Sequence, residues 1–198
     1  MRLFVWIAVI TCTGAGCWLD GRAADHIGIF FDTNAATYCI DPASGEPYTA
    51  YVTIVDPSSP EINGVEFRLG WSGPGMGLFF LGSEWLANTT CTADINVGTS
   101  TGFRAAFAEP FVPGGSVAPL FAAQFFIAWG STRDYYIRPV TSPSIANGLP
   151  AYIGAGGAVI PLNSTSGSVA LPVASVGGPC RAVSEQPLTF GAVKSLFR

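Results

Sequence analysis

Hydrolytic chemistry needs either a histidine held beside a nucleophile or two carboxylates flanking a scissile bond. The sequence offers little for the first route. Its single histidine, His26, lies close to the N-terminus, on what the pattern reads as the first strand, and a Ser-His-Asp arrangement cannot be assembled without a histidine that the fold can place beside a serine. Neither a GxSxG elbow nor a phosphate-cradling GxxxxGK[ST] run occurs, and Gly154-Ala155-Gly156-Gly157, though glycine-rich, has no helical pattern after it to complete a dinucleotide site, so it reads as a turn. For the second route Glu61, Glu66, Glu84, Glu109 and Asp94 are available, but nothing in their spacing brings two of them to a common point. Glu66 alternates with Arg68 along one strand and reads as half of a solvated charge pair. Asp32-Thr33-Asn34 puts two oxygen-bearing side chains two residues apart as calcium loops do, yet it lacks the later acidic positions and reads as an Asx turn. No catalytic residue, cofactor or metal ligand is expected.

What remains is surface that could bind. Trp71 and Trp129 fall on apolar strand faces and belong to the core, whereas Trp85, beside Glu84 in a segment read as a loop or one helical turn, and one of the adjacent pair Tyr135 and Tyr136 are freer to meet solvent. With Arg133 and Arg138 beside them, these aromatics are the candidate binding residues, suited to stacking on a sugar or packing against a protein.

Those residues must be positioned by strands. In Val65-Glu66-Phe67-Arg68-Leu69-Gly70-Trp71 apolar and polar positions alternate, so Val65, Phe67, Leu69 and Trp71 face inward. Residues 48–55 alternate likewise and run into Asp56-Pro57-Ser58-Ser59-Pro60, a turn sequence. Further strands are expected over 26–31, 76–81, 92–97, 102–107, 119–129, 134–139 and 169–176, about nine in all, with Pro172 pushing the last toward a sheet edge. Residues 119–129 are apolar on both faces and should be central and covered on both sides. The 24 glycines and 15 prolines are scattered rather than gathered into a linker. Short strands without helices between them favour antiparallel sheets packed face to face, an all-β sandwich.

Arg2, the apolar run 3–10 and the small residues leading to Gly21-Arg22-Ala23-Ala24 have the layout of an export signal over 1–24, cleaved after Ala23 or Ala24. A lipoprotein attached at Cys17 is the rival reading, weakened because Gly14 stands where a large aliphatic residue belongs. The sandwich then occupies 25–180 and a tail 181–198, in which Phe190, Val193 and Phe197 fall at the spacing of a short helix. No later segment is long and apolar enough to cross a bilayer as a helix. From residue 25 onward 12 acidic side chains face 7 basic ones, a net charge of −5, which argues against nucleic acid as a partner. Cys39, Cys91 and Cys180 remain after the leader; an oxidising compartment favours pairing two of them, all three pairings are open, and Cys39 with Cys91 is the weakly preferred one. With no CxxC and one histidine, zinc is not expected.

Residues 50–71, a strand, a loop and then Gly64-Val65-Glu66-Phe67-Arg68-Leu69-Gly70-Trp71, resemble the early strands of cohesin modules, and the apolar strand 120–129 resembles a late core strand of that family. The ending Thr189-Phe190-Gly191-Ala192-Val193-Lys194-Ser195-Leu196-Phe197-Arg198 is similar to tails that close secreted bacterial β proteins. The cohesin resemblance implies a nine-stranded jelly-roll sandwich of immunoglobulin-like type without catalysis and, in true cohesins, binding of a calcium-loaded dockerin through a sheet face. No interface residue of that family matches here, so the dockerin is not carried over. The expectation is a secreted or cell-surface, non-catalytic module for binding, adhesion or surface structure, with a protein or glycan partner outside the cytoplasm. Its alternatives are a carbohydrate-binding module and a two-carboxylate carbohydrate-active enzyme.

Overall fold

The structure, a computed structural model, describes residues 25–72, 77–87, 89–97, 100–128 and 132–178. The leader 1–24, Trp129, Cys180 and the tail 181–198 lie outside the described residues.

Among the described residues thirteen strands form two sheets: β1 (His26–Phe30), β2 (Cys39–Ile40), β3 (Pro47–Val55), β4 (Ile62–Trp71), β5 (Leu78–Trp85), β6 (Thr89–Val97), β7 (Ser100–Phe111), β8 (Val117–Ile127), β9 (Arg133–Arg138), β10 (Ala151–Ile153), β11 (Val159–Pro161), β12 (Asn163–Ser164) and β13 (Ala174–Val176). The first sheet runs β12-β1-β3-β8-β5; the second runs β11-β10-β4-β9-β13-β2, with β7 on the other flank of β4 and β6 beyond it. Pairing is antiparallel except where the two-residue strands β12 and β2 join β1 and β13. The excess over nine expected strands comes from two- and three-residue pieces, too short to show a period in sequence.

The sheets meet through the alternating faces read from the sequence. Val65, Phe67 and Leu69 on β4 are buried, and Phe67 packs on Phe121 of β8 with ring centroids 5.8 Å apart. Trp71 is half-buried and sets its edge against Phe125 of β8 at 5.8 Å. Burial of these aromatic and aliphatic faces is the main stabilising term of such a sandwich. At the start of the domain the Asp25 carboxylate accepts hydrogen bonds from the Tyr152 hydroxyl at 2.6 Å and the Ser58 amide at 2.8 Å, tying the chain entry to both sheets.

Four expectations need correction. Residues 83–85 are neither a loop nor a helical turn, because β5 runs through to Trp85. Its alternation is hidden by a register shift between Phe80 and Gly82, where an extra residue bulges out. Strand β8 is central in its sheet, between β3 and β5, but its outer face is covered only in part: Ala122 there is buried, whereas Gln124 is exposed and Phe126 half-exposed. The last strand is shortened to 174–176 and lies between β9 and β2 rather than at an edge; Pro172 precedes it, where its missing amide costs no ladder bond.

The fourth correction concerns the cysteines. Cys39 is disulfide-bonded. It stands on β2, and Cys91 stands on β6, five strand pairings away through β13, β9, β4 and β7. At about 4.8 Å per pairing the two backbones are separated by about 24 Å, against a limit of about 7 Å between bridged Cα atoms. The preferred Cys39–Cys91 bridge does not fit this strand order.

Candidate functional site

On β4 the inward set Val65, Phe67 and Leu69 leaves Gly64, Glu66, Arg68 and Gly70 facing out. Register then brings neighbours to the same face. Glu66 lies opposite Arg104 of β7, Arg68 opposite Arg138 of β9, and Gly70 opposite Tyr136. Along β9 burial alternates: Arg133, Tyr135 and Ile137 point in, while Asp134, Tyr136 and Arg138 are half-buried on the outer side. The Arg138 guanidinium carbon sits 4.7 Å from the Tyr136 ring centroid, a cation–π contact.

Glu66 is only 6% exposed. One carboxylate oxygen accepts the Ser144 amide at 2.7 Å and the other accepts the Ser144 hydroxyl at 2.8 Å. The Arg104 Nε is 3.4 Å from the carboxylate, and the Arg104 guanidinium donates to the Ser142 carbonyl. The expected solvated Glu66–Arg68 pair is therefore replaced by a partly buried anchor that holds the loop after β9 down on the sheet, because Arg104 and not Arg68 stands directly across from Glu66.

Beside this anchor lies an open cavity of about 310 Å³, walled by Ala106, Ala151, Ile153 and Val159 and bounded by Glu66, Arg104 and Ser144. Gly64 is opposite both Ala106 and Ile153. A Cβ at Gly64 would lie 2.6 Å from the Ala105 carbonyl oxygen and 3.4 Å from the Ile153 side chain, so only glycine lets β7 and β10 approach this closely. Ile153 and Val159 are exposed on the rim. Apart from Arg133 and His26, the basic side chains of the described residues are Arg68, Arg104 and Arg138, and all three are on this face.

The candidate residues read from the sequence divide sharply. Tyr135 is fully buried, and its hydroxyl is 2.5 Å from that of Tyr48. Burial pushes the Tyr48 phenol up to about 12 and the Tyr135 phenol further, with the Arg133 charge opposing both shifts. Arg133 is 1% exposed within this cluster. Trp85 is half-buried at the end of β5 and packs against Phe121 at 4.9 Å and against Phe67, Phe103 and Phe107 at 6.2 Å. Arg133, Tyr135 and Trp85 therefore serve the interior, and Tyr136 and Arg138 remain on the surface. Sequence reasoning missed Arg68, Arg104 and Ser144, whose association depends on which strands flank β4; the alternation of Gly102, Arg104 and Ala106 along β7 is the one local signal that could have found the face.

Among the carboxylates, Glu84 follows the opposite direction from Trp85, which points into the core, so it faces out from the first sheet, while Glu66 faces out from the second. Sheets packed face to face are about 10 Å apart and the two groups lie beyond both, outside the separation a carboxylate pair needs for glycoside hydrolysis. The Asp32 carboxylate accepts the amides of Asn34 at 2.8 Å and Ala36 at 3.1 Å, as expected of an Asx turn.

No protein-family model matches the sequence, and no curated protein is similar to it in sequence. Solved structures are similar in fold. The second type II cohesin module of the adaptor scaffoldin ScaA from Acetivibrio cellulolyticus matches with a TM-score of 0.55 and 10% identity over 85% of this chain and 98% of that one. The chain is a cohesin-like β-sandwich. The sixth cohesin of scaffoldin B from the same organism, solved in complex with a Cel5 dockerin, matches this cohesin-like chain with a TM-score of 0.51 and 11% identity over 79% of it and 99% of that module. The seventh ScaB type I cohesin from Pseudobacteroides cellulosolvens gives 0.51 at 10% identity, over 80% and 96%.

Proposed function

We propose that the chain is an exported, non-catalytic module that binds a protein partner through the outer face of its second sheet. The observation that carries this is the gathering of Arg68, Arg104 and Arg138 with an apolar cavity on one sheet face of an otherwise acidic chain. Exposed patches of this composition mark interaction surfaces. The cohesin fold supports the reading, since the sixth scaffoldin B cohesin was solved with a dockerin bound. In this reading residues 1–24 are the export leader. A sugar-binding role is less well supported, because the Tyr136 ring is already engaged by Arg138 and Trp85 is spent on the core.

Affinity capture with the mature chain from the culture fluid of its host tests the reading. A partner retained by the natural chain and lost by an Arg68→Ser, Arg138→Ser variant whose melting temperature is not lowered is the expected result. Failure to retain any protein, with binding on a glycan array, would replace it by the carbohydrate-binding alternative.

A further inference from the structure

Resting on the protein-binding reading above, we propose that the partner docks with an acidic segment that seats one aliphatic or aromatic side chain in the cavity beside Glu66 while its carboxylates meet Arg68, Arg104 and Arg138. The arrangement of the arginines is unfavourable for the isolated domain. Arg68 and Arg138 are directly opposed in register, and Arg104 is one diagonal step from Arg68; like charges so placed destabilise a sheet pair. Compensation within the face is small. Glu66 is ion-paired at 3.4 Å to Arg104 alone of the three, and both its oxygens also accept from Ser144. Asp134 shares the outer side of β9 but lies four residues from Arg138, about 13 Å along a strand. The Nε atoms of Arg68 and Arg104 are both buried with no hydrogen-bond acceptor among the described residues, so the face leaves part of its cationic hydrogen-bonding capacity unmet.

The cavity supplies the second half of the argument. Its volume of about 310 Å³ admits several waters, yet Ala106, Ala151, Ile153 and Val159 give those waters no side-chain hydrogen bonds. Displacing them with an apolar side chain is favourable, and a pocket desolvated on docking is the usual seat of an interface anchor. Ala106 is two residues from Arg104 on β7, so anchor and carboxylates are spaced by about 7–13 Å, a few residues of a partner strand or one to two turns of a partner helix. A sulfated glycan or a nucleic acid brings charge for the arginines but nothing that fills the cavity, which is why the acidic partner is a protein.

The test uses the mature chain, immobilised, against a random dodecapeptide display library, with heparin as a separate probe. Peptides enriched on the natural chain should carry Asp or Glu within a few residues of one Leu, Ile, Phe or Trp. Their affinity should fall by about tenfold or more in Ala106→Phe, which fills the cavity from an exposed position, and in Arg68→Ser with Arg138→Ser, and it should weaken as salt is raised. Melting temperatures that are not lowered in either variant show that the loss is local. Enriched peptides that are neutral or basic, or acidic peptides indifferent to Ala106→Phe, overturn the proposal. Heparin binding that needs the arginines but not the cavity, without peptide enrichment, overturns it in favour of a polyanion. If a protein is still captured from culture fluid by both variants, the acidic docking mode falls and only protein binding by another surface stands; if nothing is captured or enriched, both readings fall.

Discussion

Replacing Glu66 with alanine removes two hydrogen bonds, at 2.7 and 2.8 Å, from an ionised acceptor that is 6% exposed. Bonds to charged groups contribute about 1.5–3 kcal/mol each when both partners are buried. Ser144 is exposed, however, and Arg104 retains its bond to the Ser142 carbonyl, so water recovers part of the loss. Removing the carboxylate also leaves the three arginines unopposed, adding about 0.2–1 kcal/mol of repulsion. The net expectation is about 2–3 kcal/mol of destabilisation, which for a domain of this size lowers the melting temperature by about 4–12 °C. Urea denaturation is the assay, with the change read from the midpoint at constant slope. Glu66→Gln, which keeps the shape and one acceptor, should fall between the two. A loss below about 0.5 kcal/mol in the alanine variant, the size expected of a solvated surface charge, would refute the anchoring role and return Glu66 to the solvated pair that its alternation with Arg68 implies.

Three further outcomes follow from the same geometry. The buried phenols are raised above the ordinary value of 10, Tyr48 to about 12 and Tyr135 beyond it, so their contribution is full below pH of about 10 and is lost as pH rises toward and past about 12. Urea midpoints should hold to about pH 9.5 and then fall, and Tyr48→Phe with Tyr135→Phe should flatten that fall; an unchanged alkaline slope would contradict the buried pair. Trp85→Ala should cost about 3 kcal/mol as a lost core ring, whereas Tyr136→Ala should cost less than about 1 kcal/mol; equal costs in urea denaturation would show that the interior and surface assignments are wrong. Four residues separate Val176, paired with Ile40 beside Cys39, from Cys180, a reach of at most about 14 Å. Non-reducing peptide mapping is therefore expected to join Cys39 to Cys180, and a Cys39–Cys91 peptide would contradict the strand order.

The faces of single strands were readable from local alternation, and their neighbours were not. Val65, Phe67 and Leu69 could be assigned to the core because only one side of β4 is apolar. On β9 the sequence Arg133-Asp134-Tyr135-Tyr136-Ile137-Arg138 carries an arginine and a tyrosine on each side, so period alone cannot decide which pair is inside. Contact with Tyr48, 87 residues earlier, decides it. Trp85 was misread because the bulge before Gly82 breaks the alternation of β5 and imitates a loop. The match of Glu66 with Arg104 and the distance of Cys39 from Cys91 both depend on strand order, a long-range property that no window of sequence contains. Resemblance to cohesin modules supplied the architecture, and the arginine face had to come from register.

Hydrogen–deuterium exchange of the mature chain, alone and with its captured partner, tests most directly whether the second sheet is the binding face. Protection gained at residues 64–70, 102–106 and 136–138 and around 151–159, with the first sheet unchanged, is the result expected. Protection confined to β5 and β8, where Phe79, Phe80 and Leu81 are exposed on the first sheet, would contradict it.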